Sequence, residues 1–85
     1  MTRLRPEGEA IQTWGPAERP NGFRWRGTAH HILAFLNCWR LHTRWWEPDQ
    51  TVWREYLKVI TDREVLCLLY RDLVSGDWFL ARIYD

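Results

Sequence analysis

Three strand-like segments near the C-terminus restrict the fold of this chain more than any other feature. Trp53 to Thr61, Val65 to Asp72 and Asp77 to Tyr84 are rich in apolar, β-branched and aromatic residues. The connections between them, residues 62–64 and 73–76, are short and contain turn-forming residues. Strands joined by such short turns predict a β-meander.

The meander is apolar on both faces, most clearly over residues 66–70, Leu-Cys-Leu-Leu-Tyr. A flat sheet with one wet face would alternate apolar and polar residues, so the pattern favours a curled sheet. In the first strand, strand periodicity places Glu55, Leu57 and Val59 on one face with Trp53. We therefore predict an all-β fold, a small antiparallel meander of five to six strands curled into a barrel or half-barrel of the SH3-like kind.

The N-terminal half contains a segment whose conformation the pattern leaves open. Short strands are predicted at residues 9–14 and 23–26, and a loop rich in proline and glycine is predicted between them at residues 15–22. Residues 28–42 have apolar side chains at helical spacing, which fits an amphipathic helix. They also fit a long strand with a bulge near Phe35 and Leu36, paired with the preceding strand across Gly27.

Length and charge predict a single domain without a strong electrostatic field. The chain has 85 residues and a net charge of +1, which excludes a protein that coats polyanions. We expect one domain at residues 9–85 after a flexible N-terminus at 1–8. No signal peptide or membrane span is recognisable, so we expect a cytoplasmic location. No cofactor is expected.

The two cysteines, Cys38 and Cys67, stand far apart in apolar surroundings. Without a Cys-X-X-Cys pair, a zinc site is not indicated. We expect two reduced, buried thiols, with a disulfide as the alternative. The adjacent residues His30 and His31 would point to opposite faces of a strand, so they cannot share one metal ion without a bulge.

The residues from Cys38 to Pro48 contain three of the seven tryptophans and two arginines. Adjacent residues of an extended chain point in opposite directions, so one of Trp45 and Trp46 should be buried and the other partly exposed. Trp39 is expected to help hold the two halves of the domain together. Arginine beside exposed tryptophan is typical of contact surfaces. The candidate contact residues are Arg40, Arg44, Trp45, Trp46, Arg54, Trp25 and Arg26.

Several runs together resemble a family of short, uncharacterised bacterial proteins: Phe23-Arg24-Trp25-Arg26-Gly27, Trp39-Arg40, Arg44-Trp45-Trp46, Trp53-Arg54-Glu55-Tyr56 and Gly76-Asp77-Trp78-Phe79-Leu80. The portion from Trp39 to Asp85 also resembles the C-terminal tail domain of polymerase-like mutagenesis proteins. These are relatives of Y-family polymerases and act as hubs of a damage-induced mutasome. The resemblance implies a β fold, which favours a strand at residues 28–42, and it implies no catalytic residue.

Three functions follow as hypotheses. The first is a non-catalytic module that docks on a protein partner in bacterial DNA repair or translesion synthesis, with mutasome components as partners and a homodimer left open. The second is binding of single-stranded nucleic acid, because aromatic side chains interleaved with arginine stack on bases. The third is a small enzyme or metal site that uses Cys38 and nearby histidines. We favour the first.

Overall fold

The computed structural model describes residues 8–43 and 51–84, which form six antiparallel strands. The strands are β1 (Glu9–Trp14), β2 (Gly22–Trp25), β3 (Thr28–Thr43), β4 (Val52–Thr61), β5 (Leu66–Asp72) and β6 (Trp78–Tyr84). Each pairs with the next, and β1 pairs with β6 to close a barrel. The predicted all-β fold is confirmed and is consistent with a small SH3-like barrel. Across these two ranges we find no helix suited to crossing a membrane.

The segment with two possible interpretations is the longest strand, β3, so the helical interpretation of residues 28–42 is wrong. Its register against β4 shifts twice, between Ile32 and Ala34 and between Phe35 and Asn37. Each shift inserts one extra residue, which is a β-bulge, and the second lies where the sequence predicted one. Because of the two bulges, β3 residues three apart share the inner face: Ile32, Phe35 and Cys38 each lie opposite a buried residue of β4.

The barrel interior holds the apolar core. Its buried members come from β1, β2, β4, β5 and β6: Ile11, Phe23, Leu57, Val59, Cys67, Leu69, Trp78 and Leu80. The alternation predicted for β4 is confirmed, since Glu55, Leu57 and Val59 are buried and the residues between them are only partly so. Burial of apolar surface at ~25 cal/mol per Å² is the main stabilising contribution in such a core.

A two-residue turn joins β2 to β3. Trp25 pairs with Thr28, and both turn residues have positive φ, 50° at Arg26 and 80° at Gly27. This is the conformation of the hairpin turns that match the twist of the strands. Arg26 is held there by an ion pair with Glu9 at 3.1 Å, and its guanidinium lies 4.8 Å from the Trp25 ring centre.

The barrel is closed along only part of β3. Strand β2 pairs with Thr28 to His31, and one further bond runs from the Ile32 N–H to the carbonyl of Asn21. Beyond that point β3 continues to Thr43 with β4 on one side. On the other side, residues 33–43 have no strand partner within 8–43 and 51–84. We call this side of residues 33–43 the β3 edge.

Candidate functional site

Exposed apolar side chains are concentrated along the β3 edge. Seven large hydrophobic residues of the described chain are exposed, and five of them belong to this segment: Leu33, Phe35, Leu36, Trp39 and Leu41. The other two are Trp53 on β4 and Val74 in a turn. Scattered exposed hydrophobic residues are normal, but such a row beside unpaired backbone marks an interaction site.

The two bulges divide the β3 edge into an irregular and a regular part. Leu33 and Leu36 are the extra residues, and they are the most exposed of the large hydrophobic residues on the strand, at 66% and 53%. Bulges interrupt strand pairing and protect an edge against it. From Asn37 to Thr43 the pairing with β4 is unbroken, so this stretch alone offers a regular edge to another strand.

One hydrogen bond shows which backbone groups of the regular part face outward. The Cys38 N–H donates to the side-chain Oδ1 of Asn37 at 2.8 Å. In an antiparallel strand the N–H and C=O groups of successive residues point to alternate sides, so the backbone groups of Cys38, Arg40 and His42 point to the open side. The N–H and C=O groups of Trp39 and Leu41 point to β4.

An aromatic row crosses the outer face of four strands and ends at the β3 edge. It consists of Trp39, Tyr56, Tyr70 and Phe79, which are directly opposite one another in consecutive strand pairs. The ring centres are 5.3, 5.3 and 5.0 Å apart, and the first and last contacts are stacked. Tyr70 is 1% exposed, whereas Trp39 is 40% exposed. The row is therefore buried in the middle and open at β3.

Arg54 covers part of this row. Its guanidinium lies 4.3 Å from the centre of the Tyr70 ring, and its Nη1 donates to the Tyr56 hydroxyl at 3.2 Å. A cation over an aromatic face adds about 0.5–2 kcal/mol, depending on desolvation. The arginine predicted as a contact residue thus has a structural role on the outer face.

The inner face beside the β3 edge holds a buried carboxylate among arginines. Glu55 is 9% exposed, and its oxygens lie 3.5 Å from Arg71 Nη2 and 3.5 Å from Arg40 Nε. The Cys38 thiol donates to the same carboxylate with an Sγ–Oε2 distance of 3.7 Å. A hydrogen bond to Cys38 also raises the pKa of Arg19. The cluster ties the loop after β1 to the sheet, since Arg71 also donates to a carbonyl of that loop.

The structure does not assemble Cys38 with a histidine. His42 lies four residues along β3, about 13 Å at the rise of a strand, and stacks on Trp53 at 4.9 Å. His31 pairs with Asp62, whose pKa is lowered chiefly by a bond from the His31 N–H. In the described ranges no three metal-ligating side chains come together. Cys38 is exposed and Cys67 buried, both as free thiols, so the prediction of two buried thiols is wrong for Cys38.

The predicted contact residues do not form one surface. Arg40 lies on the inner face and Arg54 on the outer face, whereas Trp25 and Arg26 lie at the far end of β3. The residues 44–46, Arg-Trp-Trp, lie outside the described ranges, so their prediction stays open. Trp39, expected to help hold the two halves together, is 40% exposed on the outer face and stacks on Tyr56 of β4.

The row of exposed hydrophobic residues was missed from the sequence. Leu33, Leu36 and Leu41 look like core residues in any strand or helix, because apolarity alone predicts burial. The double register shift makes two of them the extra residues of bulges, and of these two bulges the sequence predicted only the one near Phe35 and Leu36.

A separate cavity of about 300 Å³ opens at the other end of the barrel. Its lining is mainly apolar: Phe23, Trp25, His30, Val65, Cys67 and Ile83. His30 is stacked on Phe23 and 6% exposed, and neither of its ring nitrogens has a hydrogen-bond partner. Desolvation lowers the pKa of His30, and burial raises the pKa of Cys67 to about 11. Both shifts have the same cause, the burial of the group away from solvent.

No protein-family model, curated protein or solved structure matches this chain. What the fold defines is a class, the small six-stranded antiparallel barrel. The resemblance to mutasome tail domains stays a prediction.

Proposed function

We propose that this protein is a non-catalytic binding module that receives an extended segment of a protein partner along the β3 edge. The observation that carries the proposal is the set of exposed hydrophobic residues along the β3 edge, the side of residues 33–43 that has no strand partner in the described part of the chain. The backbone N–H and C=O groups of Cys38, Arg40 and His42 supply hydrogen bonds. A partner segment that pairs with them would become one more strand of the sheet.

The side chains next to the edge supply the apolar contacts. Trp39 and Leu41 lie on the outer face, 40% and 38% exposed. Tryptophan is the residue type most enriched in the energetic centres of protein interfaces. Its ring is already stacked on Tyr56, so little side-chain entropy is lost when a partner covers it.

Binding of single-stranded nucleic acid is less supported by this geometry. Base stacking needs free ring faces with cations beside them. In the aromatic row the rings stack on one another, and Arg54 and Lys58 already lie over Tyr70 and Tyr84. A small enzyme or metal site at Cys38 is less supported too, because the contacts of its thiol are a carboxylate and an arginine.

The expected partner class, a protein of bacterial DNA-damage tolerance, rests on the resemblance of the segment from Trp39 to Asp85. The test is capture of partners from damage-induced cells with two matched variants. Leu41→Lys places a charge on the β3 edge, and Val74→Lys places it on a distant exposed turn position. We expect the first to abolish capture and the second to leave it unchanged.

Equal capture by both variants would contradict docking on the β3 edge. Titration with a single-stranded oligonucleotide at low salt separates the alternative. Salt-dependent quenching of tryptophan fluorescence that Leu41→Lys leaves intact would favour nucleic-acid binding instead.

A further inference from the structure

We infer that the segment received by the β3 edge is β3 of a second copy, so that two barrels join through antiparallel pairing about a two-fold axis at Trp39. This inference rests on the proposed function and names the partner of that same surface. In this register Trp39 faces its equivalent, Asn37 faces Leu41, and Cys38 faces Arg40. An isologous contact of this kind closes on itself and leaves no further edge open.

Strand geometry allows only a few symmetric registers. Residues directly opposite in a sheet must point to the same face, so the two-fold axis passes through a residue of the regular part. The candidates near its centre are Cys38, Trp39, Arg40 and Leu41. Centring on Cys38 draws the Leu36 bulge of each copy into the pairing, where it breaks the hydrogen-bond ladder.

Charge disfavours one of the remaining three registers. Centring on Arg40 places the two guanidinium groups directly opposite each other, and like charges in that position are destabilising. Centring on Trp39 places each Arg40 opposite the uncharged Cys38 of the other copy, and each Arg40 keeps its own Glu55 at 3.5 Å in this arrangement. Centring on Leu41 places each Arg40 opposite His42. Charge therefore disfavours the Arg40 register, and the aromatic row decides between Trp39 and Leu41.

The Trp39 register also completes the aromatic row. In each copy the row runs from the buried Tyr70 to the half-exposed Trp39. Because the Trp39 N–H and C=O point to β4, the two Trp39 residues form a non-hydrogen-bonded pair, in which Cα atoms approach to ~4.5 Å and side chains meet. The two rows become one continuous series of rings across both barrels. The exposed Trp39 ring at the end of each row is then covered by another aromatic ring, as the rings within the row are.

Asn37 acts against this association. Its Oδ1 accepts the Cys38 N–H, which is one of the donors that a second strand needs. The side chain must turn away before the strands pair, so it weakens the dimer while it protects the isolated edge. Asn37→Ala should therefore tighten the dimer a few-fold, whereas an ordinary contact residue would weaken it when truncated.

The first experiment is sedimentation velocity of the whole chain over a range of concentrations. We expect a reversible monomer–dimer equilibrium. Arg40→Pro removes one outward N–H per copy without touching the bonds to β4, and should weaken the dimer about tenfold. Arg40→Gln is the control for loss of the charge alone, and should weaken it less. A monomer at all concentrations overturns the inference.

The second experiment identifies the register by disulfide trapping in a Cys38→Ser background. Asn37→Cys combined with Leu41→Cys places thiols opposite each other only in the Trp39 register, at Cα distances that a disulfide spans. Neither Asn37→Cys alone nor Leu41→Cys alone should cross-link, since Leu41→Cys alone cross-links only in the Leu41 register. Asn37→Cys with Thr43→Cys cross-links in the Arg40 register. In the chain that retains Cys38, this residue cross-links to its equivalent in the Cys38 register. Cross-linking of Asn37→Cys with Thr43→Cys, or of the native Cys38, without cross-linking of Asn37→Cys with Leu41→Cys, overturns the proposal.

Different experimental results contradict this inference and the proposed function. A chain that stays monomeric while Leu41→Lys abolishes partner capture retains the docking edge and loses only the second copy as occupant. A dimer that forms equally well with Leu41→Lys and Arg40→Pro contradicts this inference, because its interface then lies elsewhere, whereas only equal partner capture by Leu41→Lys and Val74→Lys contradicts the proposed function.

Discussion

The closed and open parts of the barrel use the same kinds of residue in opposite ways. In the closed part, leucine and tyrosine are covered by strands on both sides; Leu57, Leu69 and Tyr70 are at most 1% exposed. In the open part, along the β3 edge, Leu36, Trp39 and Leu41 lie on the surface. Residue type does not explain the difference. It depends on where β2 ends and where the two bulges shift β3.

If the β3 edge is the docking surface that we propose, stability and binding are separable in this molecule. The core cluster of the described residues includes no residue of the β3 edge. Under the proposed function, this patch of exposed apolar area serves interactions with a partner. Substitutions in the two parts should therefore differ in kind as well as in size.

The largest difference should come from truncating one leucine in each part. Leu69→Ala removes a side chain with 0% exposure from the core and should lower the free energy of unfolding by about 3 kcal/mol, because it leaves a cavity. Leu36→Ala, at a bulge with 53% exposure, should change it by less than about 0.5 kcal/mol. Urea denaturation measures both, and similar losses would show that Leu36 belongs to the core.

A pair of proline substitutions compares the two sides of β3. Leu41→Pro removes an N–H that points to β4 and should cost about 2 kcal/mol, since proline also disturbs the paired strand. Arg40→Pro removes an outward N–H and should cost less, mainly through the contact with Glu55. Thermal unfolding at a concentration where the chain is monomeric measures the two. The opposite order would mean that the alternation along β3 is assigned the wrong way round.

Acid should act on the closed part through His30. Burial lowers its pKa, whereas in the unfolded chain the value is near 6.5. Below pH ~6.5 the unfolded state therefore binds more protons, so stability falls with pH, by at most ~1.4 kcal/mol per pH unit. The loss ends once the pH is below the lowered pKa of the folded protein.

His30→Phe is the matched variant for this effect. It keeps the stacking with Phe23 and removes two buried nitrogens that have no hydrogen-bond partner. We expect it to raise stability at pH 7 by about 1 kcal/mol and to flatten the dependence between pH 6.5 and 5. An unchanged pH profile, measured by urea denaturation, would assign the acid sensitivity to other groups.

The smallest effect should come from the cation over the aromatic row. Arg54→Ala removes the contacts with Tyr70 and Tyr56 and should cost about 1 kcal/mol. Arg24→Ala, at an exposed position of β2, is the control and should be near neutral. If Arg54→Ala proves equally neutral, the guanidinium contributes nothing to the stability of the row.

Much of the closed part could be predicted from the sequence, because local pattern and tertiary environment agree there. In β4 the alternation around Leu57 is regular, and the turns on either side of β5 contain suitable residues. The candidate site was harder to predict. Its bulges at Leu33 and Leu36 produce a helix-like spacing, and the exposure of Trp39 depends on a neighbouring strand that ends early.

The sequence by itself determined the secondary structure of the meander, the residues of β4 that share one face, and the all-β class. These follow from short-range preferences and from the two-residue period of a strand. Only the tertiary structure decided that β1 closes on β6, that β3 runs beyond its partner β2, and that Trp39 ends an aromatic row at an open edge. Pairing between distant strands sets these features, and no local pattern encodes the point at which a neighbouring strand stops.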